Sequence, residues 1–177
     1  VNVSLKRKLR RKGMRRIITG HNESGKSVIS INGPPARSIG EEAGGLYEIW
    51  NTDGSGLDTS SNNDRADIDI VLSPVRKGTK FRYFQINPIP EGAPQEVIEA
   101  ATAEAFEKIG AAHHRVDTSR NAAMHETATI DYIILLIGDV KLILDEEEVN
   151  LKPNDVVVQR GTNHAWVNNG SEPALLI

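Results

Sequence analysis

Two histidines and an aspartate offer this chain its most specific chemistry: His125, Asp131 and His164. An imidazole presents a neutral nitrogen lone pair and a carboxylate a hard oxygen. Two of the first and one of the second, meeting at one point, make a facial triad for Fe, Mn, Ni or Zn, with positions left open for water or substrate. Such a centre reaches O₂ activation, Lewis-acid polarisation and the activation of water. In MHETATID (Met124–Asp131) the histidine and aspartate are six apart. If that run is one continuous strand, its two-residue period puts His125, Thr127, Thr129 and Asp131 on one face. His164 arrives from a later strand, just after the turn QRGTN. On spacing alone, ordinary hydrogen-bonded residues beside turns are the more expected reading.

A second pattern, GHNESGKS (Gly20–Ser27), spells the phosphate-loop signature, whose chemistry needs a helix N-terminus directly after the serine. Val28, Ile29, Ser30 and Ile31 follow instead, and Gly33-Pro34-Pro35 stops the run. A hairpin turn through Gly20, Asn22 and Gly25 is expected, not a nucleotide site. The acidic run Asp145–Glu148 reads as a solvated hairpin, since its oxygens lack the regular positions of a calcium loop.

The elements that must position these groups are mostly strands. Arg15–Thr19, Lys26–Ile31, Gly45–Trp50, Ile68–Pro74 and Lys80–Ile86 alternate or carry β-branched residues, and a polar loop separates the third from the fourth. In the last of them Phe81, Tyr83 and Gln85 share one face and Arg82, Phe84 and Ile86 the other. One helix is predicted, Gln95–Ile109, with Ile98, Ala101, Ala105 and Ile109 as its apolar stripe and Gly110 as cap. From Ile130 onward IDYIILLI, VKLILDEEEVNL, DVVVQ, HAWVN and PALLI follow one another across short links, which only antiparallel neighbours permit.

The C-terminal third resembles the cupin superfamily. His125-Glu126-Thr127, three residues, Asp131, six residues and Gly138 follow the first cupin motif. Asn154-Asp155, VVVQR and Gly161-Thr162-Asn163-His164-Ala165-Trp166-Val167-Asn168 follow the second. Thr127 stands where many cupins carry a second histidine, Asp131 where they carry glutamate, and Asn154 where they carry glycine. The resemblance covers Met124–Ile177. It implies a small single-domain cupin of the type-2 conserved-barrel kind: an all-β, antiparallel jelly-roll barrel with extra N-terminal strands and one helix near residues 95–109. It also implies a metal centre of His125, Asp131 and His164.

Around that centre, Trp166 shares the strand face of His164 and offers an aromatic wall. Gln159 offers one hydrogen bond, and Thr127 and Thr129 line the same pocket. Arg160, near the second motif, is a cation suited to a substrate carboxylate. His125, His164 and Arg160 are thus the residues expected to act in catalysis. The reading leans to a metal-dependent enzyme acting on a small organic molecule, aromatic or carboxylated, with dioxygenase, isomerase, decarboxylase and cyclase chemistry all open. The alternative is a non-enzymatic small-molecule-binding or structural cupin without metal.

Composition bounds the rest. A chain of 177 residues suits one well-buried domain, expected over residues 15–177. There are no cysteines, which excludes disulfides and thiolate chemistry. Lys6, Arg7, Lys8, Arg10, Arg11 and Lys12 crowd the start; without them 15 basic residues face 24 acidic ones. Residues 1–14 therefore read as a basic disordered extension or a cloning remnant, and no nucleic-acid partner is expected for so acidic a body. No run of residues is long and apolar enough for a membrane span. A cytoplasmic location and a homodimer are the expected setting.

Overall fold

The computed structural model describes residues 13–56 and 60–177. Among these residues eleven strands and one α-helix follow in chain order: β1 (Arg16–His21), β2 (Ser27–Gly33), β3 (Ser38–Ile39), β4 (Gly44–Thr52), β5 (Thr79–Ile86), α1 (Gln95–Lys108), β6 (Ile130–Ile137), β7 (Val140–Leu144), β8 (Glu148–Leu151), β9 (Val156–Arg160), β10 (His164–Asn168) and β11 (Ala174–Leu176). They form three sheets, β1-β2, β10-β7-β8 and β3-β4-β5-β11-β6-β9. The all-β antiparallel character is as expected, with one helix in the expected place. The basic run Lys6–Lys12 lies outside the described residues, whereas Met14 is buried. No helix among the described residues is long and apolar enough to cross a membrane.

Contacts divide the chain into two compact units. The first takes in β1 and β2 with residues 47–69 and 74–82. The Gly20–Ser27 stretch is a hairpin there: Asn22 N–H donates to Lys26 O at 2.9 Å and Gly25 N–H to Asn22 O at 2.8 Å, and Ser27 begins a strand. Arg16 is buried in this unit. It donates to Pro34 O and Ile49 O, both at 2.9 Å, and to Asp64 Oδ1 at 2.8 Å.

The second unit holds residues 39–46, 70–73 and 83–177. Its core follows from the period of β6, where Ile133 and Leu135 are buried while Ile130, Tyr132 and Ile134 are exposed. Ile133 and Leu135 pack with Val140, Leu151, Ala174 and Leu176, against Phe84, Ile86, Val157 and Trp166. Each fully buried aliphatic side chain stabilises the fold by about 1.5–3 kcal/mol before entropy is counted. The turn into β9 places Asn154 at φ 78°, a conformation asparagine tolerates, which accounts for the absent motif glycine.

Two expected elements differ. Ile68–Pro74 forms no strand; the Leu72 N–H donates at 3.0 Å to Ile109 O, so the end of the helix satisfies it in place of a ladder. The helix is rolled relative to its predicted stripe. Ala101 and Ala105 are exposed, and the half-buried line runs Ile98, Thr102, Phe106 and Ile109. Phe106, the largest apolar side chain of the helix, sets the roll by turning onto the ring of His125, 4.9 Å between centroids.

Candidate functional site

His125 and His164 meet because their backbones pair. Residue 125 forms an isolated antiparallel bridge with the first residue of β10: each N–H donates to the other's carbonyl at 2.9 Å. Directly opposite residues of an antiparallel pair project to the same side. The two rings accordingly stand 4.3 Å apart between centroids, inclined at 45°. The turn before β10 makes this return possible. Gly161 sits at φ 66°, and a Cβ there would lie 2.9 Å from Thr127 O. Asn163 then ties the turn down, donating to Asp117 O at 3.0 Å and to Asp145 Oδ1 at 2.9 Å.

Both imidazoles are oriented the same way. His125 Nδ1 lies 2.9 Å from Ala123 O, and His164 Nδ1 lies 2.9 Å from Thr162 O. A carbonyl only accepts, so each Nδ1 carries the hydrogen and each Nε2 keeps its lone pair. Burial pushes the His125 pKa down to about 4, helped by the neighbouring His164 and by His114, and opposed by Ala123 O and Asp131. Burial also lowers His164, with Thr162 O opposing. Both rings are therefore neutral at neutral pH.

Aromatic groups flank the pair. Trp166 stands edge-on to His164 at 5.5 Å and to Phe84 at 6.1 Å. Phe106 covers His125 from the helix, and Arg115 lies over Phe106, its Cζ 5.9 Å from the ring centroid. The same guanidinium donates to Ala122 O at 2.8 Å and ion-pairs with Glu99 of the helix. Sequence reasoning assigned neither Phe106 nor Arg115 to the site. The signal for Phe106 was its place in α1 between Ile98 and Ile109; nothing local pointed to Arg115.

The remaining site residues are placed unequally. Asp131 lies on the face of β6 that carries Ile133 and Leu135, opposite Gln159 of β9 in register. The strand begins only at Ile130, so His125 and Asp131 do not share a continuous strand as their spacing suggested. Thr127 and Thr129 lie in the intervening bend and hydrogen-bond each other at 2.7 Å. Gln159 is buried, its amide donating at 2.9 Å to Thr162 O, so it braces the turn before His164. Arg160 is exposed and paired with Ile130, on the face of β9 opposite to Gln159, away from the imidazoles.

The donor set suits a divalent ion in part. Two neutral imidazoles with free Nε2 atoms are typical ligands, and their Nδ1-to-carbonyl bonds are the outer contacts that hold such ligands in place. Among the described residues no three His, Asp or Glu side chains yet stand close enough together to share an ion.

Comparison with known proteins adds to this geometry. No protein-family profile matches the chain. It is 31% identical over 157 residues to phomopsin biosynthesis cluster protein D of Diaporthe leptostromiformis, covering 86% of this chain and 69% of that protein. The chain belongs to that protein's family. Two further relatives are named cupin-domain-containing oxidoreductases. One, from Aspergillus ruber, is 25% identical over 173 residues, 92% of this chain and 69% of its own length. The other, from Hypocrea virens, is 28% identical over 176 residues, 93% of this chain and 75% of its own length. Their names suggest that the family is a cupin family, in keeping with the antiparallel sheets and the paired histidines.

Proposed function

We propose that this chain is a cupin-type oxidoreductase of secondary metabolism, of the type-2 conserved-barrel form, with a divalent ion held by His125 and His164 through Nε2 and by Asp131. The observation that carries the reading is the shared orientation of the two rings: both Nδ1 atoms are spent on backbone carbonyls and both Nε2 lone pairs remain. When bound, the ion, one of Fe, Mn, Ni or Zn, supplies Lewis-acid or redox chemistry at a position open to substrate. The relatives' names support the oxidoreductase class.

The chain's own residues do the rest. Ala123 O and Thr162 O hold each ring in one tautomer, and burial keeps both neutral, so no proton need leave before ligation. The Asp131 carboxylate accepts no hydrogen bond among the described residues, which leaves it available as the third donor. Phe106 and Trp166 exclude water from the two flanks and give the aromatic part of a small organic substrate a surface to pack on. Arg160 has no part here, since it faces away. The expected homodimer and cytoplasmic setting belong to the same proposal.

Metal analysis after reconstitution with Fe(II), Mn(II), Ni(II) or Zn(II) tests it. About one ion per chain is expected, lost in His125→Ala and His164→Ala and held more weakly by roughly tenfold or more in Asp131→Asn. A protein that takes up no ion from any of the four solutions, yet folds, refutes the metal centre and favours a metal-free binding pocket.

A further inference from the structure

Within the second unit, the side of β6 and β9 that faces away from the core is apolar. In β6 the side chains that alternate with Ile133 and Leu135 are Ile130, Tyr132 and Ile134, exposed by 62%, 74% and 38%. In β9 Val156 and Val158 are exposed by 63% and 51%. Register joins the two rows, with Tyr132 opposite Val158 and Ile134 opposite Val156. Opposite residues of an antiparallel pair project to the same side, so the five side chains form one contiguous patch. A sheet with one face in the core normally turns polar groups to water on the other. None of these five carries a charge, and an aromatic ring stands in their middle.

Area and charge point to the occupant. At about 200 Å² for a fully exposed large residue, these exposures leave roughly 600 Å² of mainly apolar surface, the top of the range for a monomer. Two such faces in contact remove roughly 1,200 Å² from water, which reaches the size of a specific, stable interface. The two ends of the patch carry opposite charges. Arg160 closes β9 at one end, opposite Ile130, and Asp155 precedes β9 at the other, its carbonyl accepting the Leu135 N–H at 3.1 Å; both residues are exposed. A two-fold axis lying across the strands turns one copy end for end, which brings each Arg160 to the partner's Asp155.

We propose that this face of β6 and β9 binds a second copy of the same chain, sheet against sheet, with Tyr132 at the centre and Arg160 paired with the partner's Asp155 at each end. The expected homodimer thereby gains a definite surface, and Arg160, which faces away from the imidazoles, gains a role. The inference rests on this face alone and stands whether or not the imidazole pair holds a metal.

Sedimentation equilibrium on the full chain, with a chelator present, tests it. The parent should be a dimer at micromolar concentration. Tyr132→Asp and Val158→Lys, at positions the fold leaves in solvent, should keep the parent's circular dichroism and weaken dimerisation by about tenfold or more. Arg160→Glu and Asp155→Lys should each weaken it too, because like charges then meet. An equimolar mixture of these two should associate more tightly than either alone, since every end pair is again opposite in sign. If Asp155→Lys fails to fold, the Tyr132 and Val158 variants still decide. A parent that stays monomeric at every concentration overturns the proposal, as does a mixture of folded charge variants that gains nothing. A dimer indifferent to both Tyr132→Asp and Val158→Lys also overturns it and places the contact on another surface, such as the edge of β9.

Discussion

Acidifying the metal-stripped protein should destabilise it through His125. In the unfolded chain this histidine titrates at its ordinary 6.5; in the fold its pKa falls to about 4, first because it is buried, then because His164 and His114 lie nearby. The folded value lies below the unfolded one. The stabilisation is therefore fully present above about pH 6.5 and is lost as pH falls through about 4, where the unfolded chain binds the proton more readily. At about 1.4 kcal/mol for each tenfold change in proton affinity, the drop from 6.5 to about 4 corresponds to about 3 kcal/mol. That is a large fraction of a total stability on the order of 5–15 kcal/mol. His164, also lowered by burial, acts in the same direction. Urea unfolding with a chelator present, followed by circular dichroism across this range, measures the loss in the parent and in His125→Gln. Groups such as Asp64 titrate in both proteins and cancel in the difference. The parent should lose about 3 kcal/mol more than the variant. Parallel curves would refute the assignment of a buried, neutral His125.

Three other outcomes follow from packing and backbone geometry. Leu135→Ala, at a position 0% exposed in the centre of the core, should cost about 2–5 kcal/mol in chemical denaturation. Gly44→Ala should lower the melting temperature sharply or prevent folding. Gly44 sits at φ 132°, and an added Cβ would lie 2.0 Å from Gln85 O, where only backbone movement relieves the clash. Arg115→Gln should cost about 1–3 kcal/mol by unpairing Ala122 O and Glu99. It should also raise the titration midpoint of His125, read by NMR, because Phe106 loosens over the ring.

The legible parts of the sequence were those with a local cause. IDYIILLI reads as a strand and forms one, and the hairpin turn of Gly20–Ser27 was readable from the strand-forming residues after it. The helix ended where Gly110, at φ 64°, supplies the left-handed residue that follows a helix. What misled was reasoning that carried a period across a break. MHETATID alternates on paper, yet residues 126–129 bend, with Thr127 and Thr129 bonded to each other. Arg160 was read by its nearness in the chain to His164, but the single-residue step from Gln159 turns it to the outer face. The helix stripe was taken from its alanines, which contribute little on burial beside one phenylalanine.

By itself, then, the order of residues determined most of the strands and where they turn. Only the tertiary structure decided that residues 125 and 164 are bonded partners, that both Nδ1 atoms are occupied by carbonyls, and that a helix side chain covers one ring. The reason is physical. The period of a strand is set by the backbone of that strand alone, whereas register and neighbour are set by which distant surfaces bury one another, and no local spacing encodes that.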